Sequence, residues 1–148
     1  MTTPNQDVYW DSPGSLRASH ELPPSECWAL ATTRTTGRLG FFREGLLDIF
    51  PVNYFVMAEI LYFRTSADGV IATSSLDHAA FQIDHADRTT SNGWTLLFNG
   101  PASRVDDAEL LTVLWGKAVE GPWAPGRRDE FFALRPTLVR GRRVETTR

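Results

Sequence analysis

Short apolar runs with period two, separated by turn-forming residues, dominate this chain and predict β-strands rather than helices. Arg38–Arg43 alternates weakly and turns at Glu44-Gly45, and Leu46–Tyr54 (LLDIFPVNY) returns beside it. Met57-Ala58-Glu59 links that run to Ile60–Thr65 (ILYFRT), and Ala79–Asp84 follows as a fourth strand. Asn92-Gly93 is a strong turn signal that opens a long run from Trp94 to Val105, interrupted at Gly100-Pro101. Phe131–Arg135 and Leu138–Val144 close the pattern around a turn at Pro136-Thr137.

Two segments have helical spacing instead. Pro24 suits a first helical position, Glu26 lies in the first turn, and Cys27, Leu30 and Ala31 share a face. The threonines at 32, 33, 35 and 36, then Gly37, stop this helix early. Asp106-Asp107 caps a second helix from Ala108 to about Val119, with Leu110, Leu111, Leu114 and Trp115 on its apolar stripe. Helices that do not alternate with strands disfavour a parallel βαβ sheet. The expected fold is mainly β with a few helices, a split β-barrel of six to seven antiparallel strands, with both helices outside the run of strands. Residues 1–20 are mostly polar and irregular, with Tyr9-Trp10 the only bulky apolar pair, and read as a flexible arm, leaving 21–148 as the domain. Gly121–Gly126, with Trp123 between two prolines, reads as a rigid loop in which that ring is a lid or a packing plug.

At 148 residues, one domain with a substantial core is expected. A net charge of -3 and a pI near 5.6 weigh against nucleic acid or a membrane surface as partner, and Lys117 is the single lysine. Cys27 alone permits no internal disulfide, which fits a reducing compartment. With no basic start leading into an apolar run and no stretch of membrane-spanning length, the expected location is cytoplasmic.

Candidate chemistry gathers after the second and third strand signals. Pro51 leaves a gap in a hydrogen-bond ladder, and nearby Arg64-Thr65-Ser66 supplies a phosphate-sized cluster of donors. A flat ring with an anionic tail fits such a place. Arg64 could instead pair with Glu59 or Asp68, and Asn53 could satisfy backbone groups after Pro51. Trp28, Trp94 and Trp115 read as core residues by default. Cys27 has no cation within a turn and reads as unreactive. His78, Asp84, His85 and Asp87 are metal-capable, but their spacing gives no common face, so no metal is expected. No nucleophilic triad, P-loop or dinucleotide glycine fingerprint occurs, and catalytic residues are not identifiable.

The order and spacing of Glu26-Cys27-Trp28, Gly37-Arg38-Leu39-Gly40-Phe41, Pro51-Val52-Asn53-Tyr54, Phe63-Arg64-Thr65, Phe81-Gln82-Ile83-Asp84, Gly93-Trp94 and Gly141-Arg142-Arg143 carry a resemblance. Over Leu22–Val144 the chain resembles the pyridoxamine 5'-phosphate oxidase-like family of flavin-binding split barrels. The resemblance implies a homodimer with cofactor sites at the interface and an FMN-dependent or deazaflavin-dependent oxidoreductase acting on a small organic substrate. Its alternative is a non-catalytic flavin or haem carrier or sensor. Carried over, Val52 and Asn53 face the flavin ring, Arg64, Thr65 and Ser66 hold the phosphate, and Trp94 lies near the ring edge, from the same or the opposite subunit. One departure stands out: Val70, Ile71 and Ala72 follow Gly69, with no cation where many members have one, and Ile71 aligns with that cation.

Overall fold

The computed structural model describes residues 17–117 and 130–146. The elements are β1 (Arg17–Glu21), α1 (Pro24–Ala31), β2 (Thr36–Arg43), β3 (Leu46–Met57), β4 (Ile60–Thr65), β5 (Ala79–Asp87), β6 (Asn92–Gly100), β7 (Ala102–Arg104), α2 (Ala108–Lys117), β8 (Glu130–Leu134) and β9 (Leu138–Thr146). The strands pair in the order β1-β9-β6-β5-β2-β3-β4-β8-β7, every neighbour antiparallel. The two ends of that order stay apart, and the result is a split β-barrel.

Strand β3 makes the split. Residues 46–53 pair with β2, whereas residues 54–57 pair with β4. One half of the barrel is therefore β1, β9, β6, β5, β2 and early β3, and the other is late β3, β4, β8 and β7. Between them lies the main core, with Leu39, Phe41, Phe81, Ile83, Leu96 and Phe98 from one half and Leu61, Phe63, Phe132 and Leu134 from the other. A second cluster fills the opposite face of β4 and β8, where Tyr62, Phe131 and Ala133 meet Val105 and Leu114 under α2. This explains why β4 and β8 read as almost unbroken apolar runs: both of their faces are covered.

Among the described residues nine strands form where six to seven were expected, for two physical reasons. β1 lies where the arm was expected, because RASHE has no apolar alternation and joins β9 at the sheet edge through its backbone. The run 94–105 divides into β6 and β7 because a Cβ on Gly100 would strike the Arg135 carbonyl, while Pro101 O accepts from Arg135 N at 3.1 Å. Nor are the helices outside the run of strands: α1 follows β1, and α2 joins β7 to β8. Tyr9-Trp10, the 121–126 loop and the end of the second helix fall outside the described residues.

Helix α1 begins at Pro24 as its sequence predicts, and its threonines do end it. The hydroxyls of Thr32 and Thr33 bond back to Ala29 O at 2.7 Å and Leu30 O at 2.6 Å, capping the last turn. The helix docks on β9 at Gly141, where an added Cβ would press on Cys27 Sγ and the Leu96 side chain. The β2–β3 turn also follows its residues: Glu44 and Gly45 both have positive φ, at 52° and 77°.

Candidate functional site at the barrel split

From Leu46 to Asn53, β3 has a partner on one edge only, since β4 joins at Tyr54. Pro51 lies in this one-sided stretch, where a missing N–H costs no ladder bond on the open edge. The last β3–β4 pair on this side is Tyr54 with Phe63. One step further along the same register would set Asn53 opposite Arg64, and the next would set Val52 opposite Thr65. There the strands diverge. Asn53 and Val52 stay with Thr36 and Gly37 of β2, while Arg64 and Thr65 stay with Phe131 and Glu130 of β8. A wedge opens between them, lined by four residues that the sequence reading selected.

Strand alternation assigns them to two faces. Val52 and Thr65 turn toward the main core and are buried, whereas Asn53 and Arg64 turn outward and are half-buried. Tyr54 secures the wedge from behind: its hydroxyl donates to Ala31 O at 2.6 Å, tying β3 to the end of α1. Burial pushes its phenol pKa well above the usual range, against a smaller opposing effect of Arg34, so the hydroxyl remains a donor at any physiological pH. Asn53 accepts from Thr36 Oγ1 at 3.2 Å through its side-chain oxygen, which leaves its amide hydrogens for other acceptors.

Arg64 has an aromatic setting. Its guanidinium carbon lies 5.2 Å from the centroid of the Trp115 ring and 5.9 Å from that of Phe131. Those two rings meet edge-on at 4.8 Å and 81°. Among the described residues the ion pairs are Arg38–Asp84, Arg43–Asp48 and Arg104–Glu130, so Arg64 is held by rings rather than by Glu59 or Asp68. Rings that attract a guanidinium through its face leave its in-plane N–H fork open to an anion.

After Thr65 the chain turns tightly, with Gly69 N donating to Ser66 O at 3.1 Å and Thr73 N to Gly69 O at 3.1 Å. Ile71, the residue aligned with the missing cation, is only 6% exposed and belongs to the main core. A lysine there would be buried among apolar side chains, and the outward position of this turn is Val70, 37% exposed. No cation follows Gly69 within the turn.

The remaining candidate is not brought to the wedge within the chain. Trp94 is 6% exposed in the main core, on β6, three places from β3 in the strand order. Its neighbours include His85, whose ring is 6.2 Å away and whose Nδ1 meets Arg34 Nη2 at 2.6 Å. Trp28 packs on Phe98 at 4.7 Å, a core role as expected. Trp115 was expected in the core and is 47% exposed, because α2 carries it past Leu114 to the end of β4. The sequence did hold a signal for it. Tyr62 and Arg64 share the β4 face opposite Leu61 and Phe63, and that face needs its own cover.

Asp84 is engaged by Arg38 at 3.5 Å and by Gln82 Nε2 at 3.0 Å. Burial, with help from Glu26, raises the Cys27 thiol pKa above its ordinary value, consistent with an inert thiol. Among the described residues no helix is long and apolar enough to cross a membrane.

The sequence model of the pyridoxamine 5'-phosphate oxidase family matches residues 23–143, the span that contains the wedge. An uncharacterized protein of Mycobacterium tuberculosis, Rv0080, is 31% identical over 146 residues, covering 90% of this chain and 95% of its own. A conserved protein of unknown function from Corynebacterium diphtheriae, DIP1874, superposes with a TM-score of 0.70 at 28% identity, covering 87% of this chain and 98% of its own. The FAD binding protein from Mycobacterium smegmatis superposes with a TM-score of 0.67 at 24% identity, covering 85% and 98%. With a family match across most of its length, the chain belongs to the pyridoxamine 5'-phosphate oxidase family.

Proposed function

We propose that the protein is a flavin-dependent oxidoreductase whose cofactor lies in the wedge between β3 and β4. The observation that carries this reading is the end of the β3–β4 ladder at Tyr54–Phe63, just beyond which Asn53 and Arg64 follow on the same outward face, each paired to a different strand. The donor set fits a flavin. The open edge of β3 at Val52 and Asn53 offers backbone groups, and the Asn53 amide offers hydrogens, to the polar edge of a flat ring. Arg64 offers a two-pronged donor to a phosphate on the outward face, and Ser66, next on that face, adds a hydroxyl at the same strand end, while Thr65 turns inward. Fold relatives that bind FAD support the cofactor class.

A bound flavin supplies hydride chemistry, and the chain's part is to orient the ring, anchor its tail and exclude water. The buried Val52 backs the ring from the core side, and the Tyr54–Ala31 bond fixes the strand that carries it. The protein acts as a homodimer in this reading. Phe42, Leu47 and Ile49 share one face of the β2–β3 hairpin and are all more than half exposed, an apolar surface suited to a second copy. Light scattering at micromolar concentration is expected to give twice 16.6 kDa, and a monomer would overturn the dimer.

The purified protein, after incubation with a flavin and desalting, is expected to show the flavin absorption bands. Mass analysis then identifies the released chromophore, and bleaching by NADPH tests redox competence. A colourless protein that takes up no flavin at tens of micromolar would overturn the assignment.

A further inference from the structure

The structure assigns Trp115 to the cofactor site: we infer that its indole stacks the adenine of a dinucleotide, so that the wedge selects FAD over FMN. This rests on the flavin reading above and names the tail of that cofactor. Three observations lead to it. Trp115 is 47% exposed although it belongs to the apolar stripe of α2, whose Leu114 is fully buried and whose Leu110 and Leu111 are half-buried. Its ring is held in place, with Phe131 edge-on at 4.8 Å and the Arg64 guanidinium 5.2 Å from its centroid. That guanidinium is also the strong anion donor of the wedge. A half-exposed indole is thus fixed next to the group assigned above to the phosphate, the pairing that a base linked through phosphate requires.

The absence of a second cation points the same way. Val70 occupies the outward position of the turn after Gly69, so one arginine carries most of the charge recognition. A mononucleotide ends at the phosphate and gains nothing further. A dinucleotide continues past it and gains stacking on the indole. Base–aromatic stacking contributes about 1–3 kcal/mol by alanine substitution, which is roughly 5-fold to 150-fold in affinity.

The test is a fluorescence titration of the full-length dimer with FAD and with FMN, for wild type, Trp115→Ala and Trp115→Phe. Wild type is expected to bind FAD at least about tenfold tighter than FMN. Trp115→Ala is expected to bring the ratio toward one, and Trp115→Phe to keep an intermediate ratio. ADP, as a probe for the tail alone, is expected to compete with FAD on wild type and to lose most of that competition on Trp115→Ala. Because Trp115 also holds Arg64, both affinities fall in the alanine variant, and the ratio isolates the stacking. Equal affinities in wild type, or an unchanged ratio in a Trp115→Ala protein that melts cooperatively, would overturn the inference while leaving the flavin site standing. Failure of both flavins to bind wild type would overturn the flavin reading itself.

Discussion

Strand β6 and helix α2 each present a tryptophan, and the two surroundings differ in how much of the ring the fold leaves exposed. Trp94 of β6 is enclosed by the main core, beside a His85 that is tied to Arg34. Trp115 of α2 rests on one edge of Phe131 and on a guanidinium, with about half of its surface open. The first ring has spent its surface on packing between the two halves of the barrel. The second lies on the opposite face of β4, at the strand end that carries Arg64. The same side chain is thus enclosed in one place and half-exposed in the other, decided by which face of which strand it covers.

The comparison breaks most readily at Trp94. Trp94→Ala removes a core ring and is expected to cost about 3–5 kcal/mol in urea unfolding, whereas Trp115→Ala is expected to cost far less. Equal losses would erase the distinction. Next comes the support behind the wedge. Tyr54→Phe leaves the Ala31 carbonyl without its partner, and about 1–3 kcal/mol of stability is expected to go with it, together with looser flavin binding. A variant of unchanged midpoint would mean that the bond contributes nothing there.

A smaller effect concerns charge. Val70→Lys places a cation at the outward position of the turn and is expected to tighten flavin binding by up to about tenfold, while Ile71→Lys is expected to destabilise the core instead. Reversed outcomes would show that the turn presents residue 71 to the ligand. The smallest effect is kinetic. The raised Cys27 pKa keeps the thiol protonated beyond its ordinary titration, so alkylation of native protein at pH 8 is expected to be slow and to quicken on unfolding. Rapid labelling of folded protein would contradict the burial of α1 against Gly141.

The strand pattern was legible where alternation or unbroken apolar runs were strong. β2 to β6, β8 and β9 lie close to their expected positions, because side-chain burial drives them. β1 was not legible, since an edge strand held by backbone pairing needs no apolar pattern. The site divides in the same way. Asn53 and Arg64 were candidates by residue type, and the structure sets both on one outward face just beyond the last β3–β4 pair. For Trp115 the signal was indirect, the cover that the Tyr62–Arg64 face of β4 needs, and its place at Arg64 depends on how far α2 reaches along β4, a packing distance that helical spacing alone does not encode. The Ile71 alignment failed for a similar reason: the chain turns after Ser66 in a way that sends that side chain inward.

The central claim is that Arg64 anchors a flavin phosphate at the barrel split. A fluorescence titration comparing Arg64→Ala with Arg88→Ala, a substitution in the exposed β5–β6 turn, tests it most directly. Loss of a charge-assisted bond of about 1.5–3 kcal/mol predicts that Arg64→Ala weakens flavin binding by about tenfold or more, with Arg88→Ala indistinguishable from wild type. Equal flavin affinities for the two variants, both folded, would contradict the account.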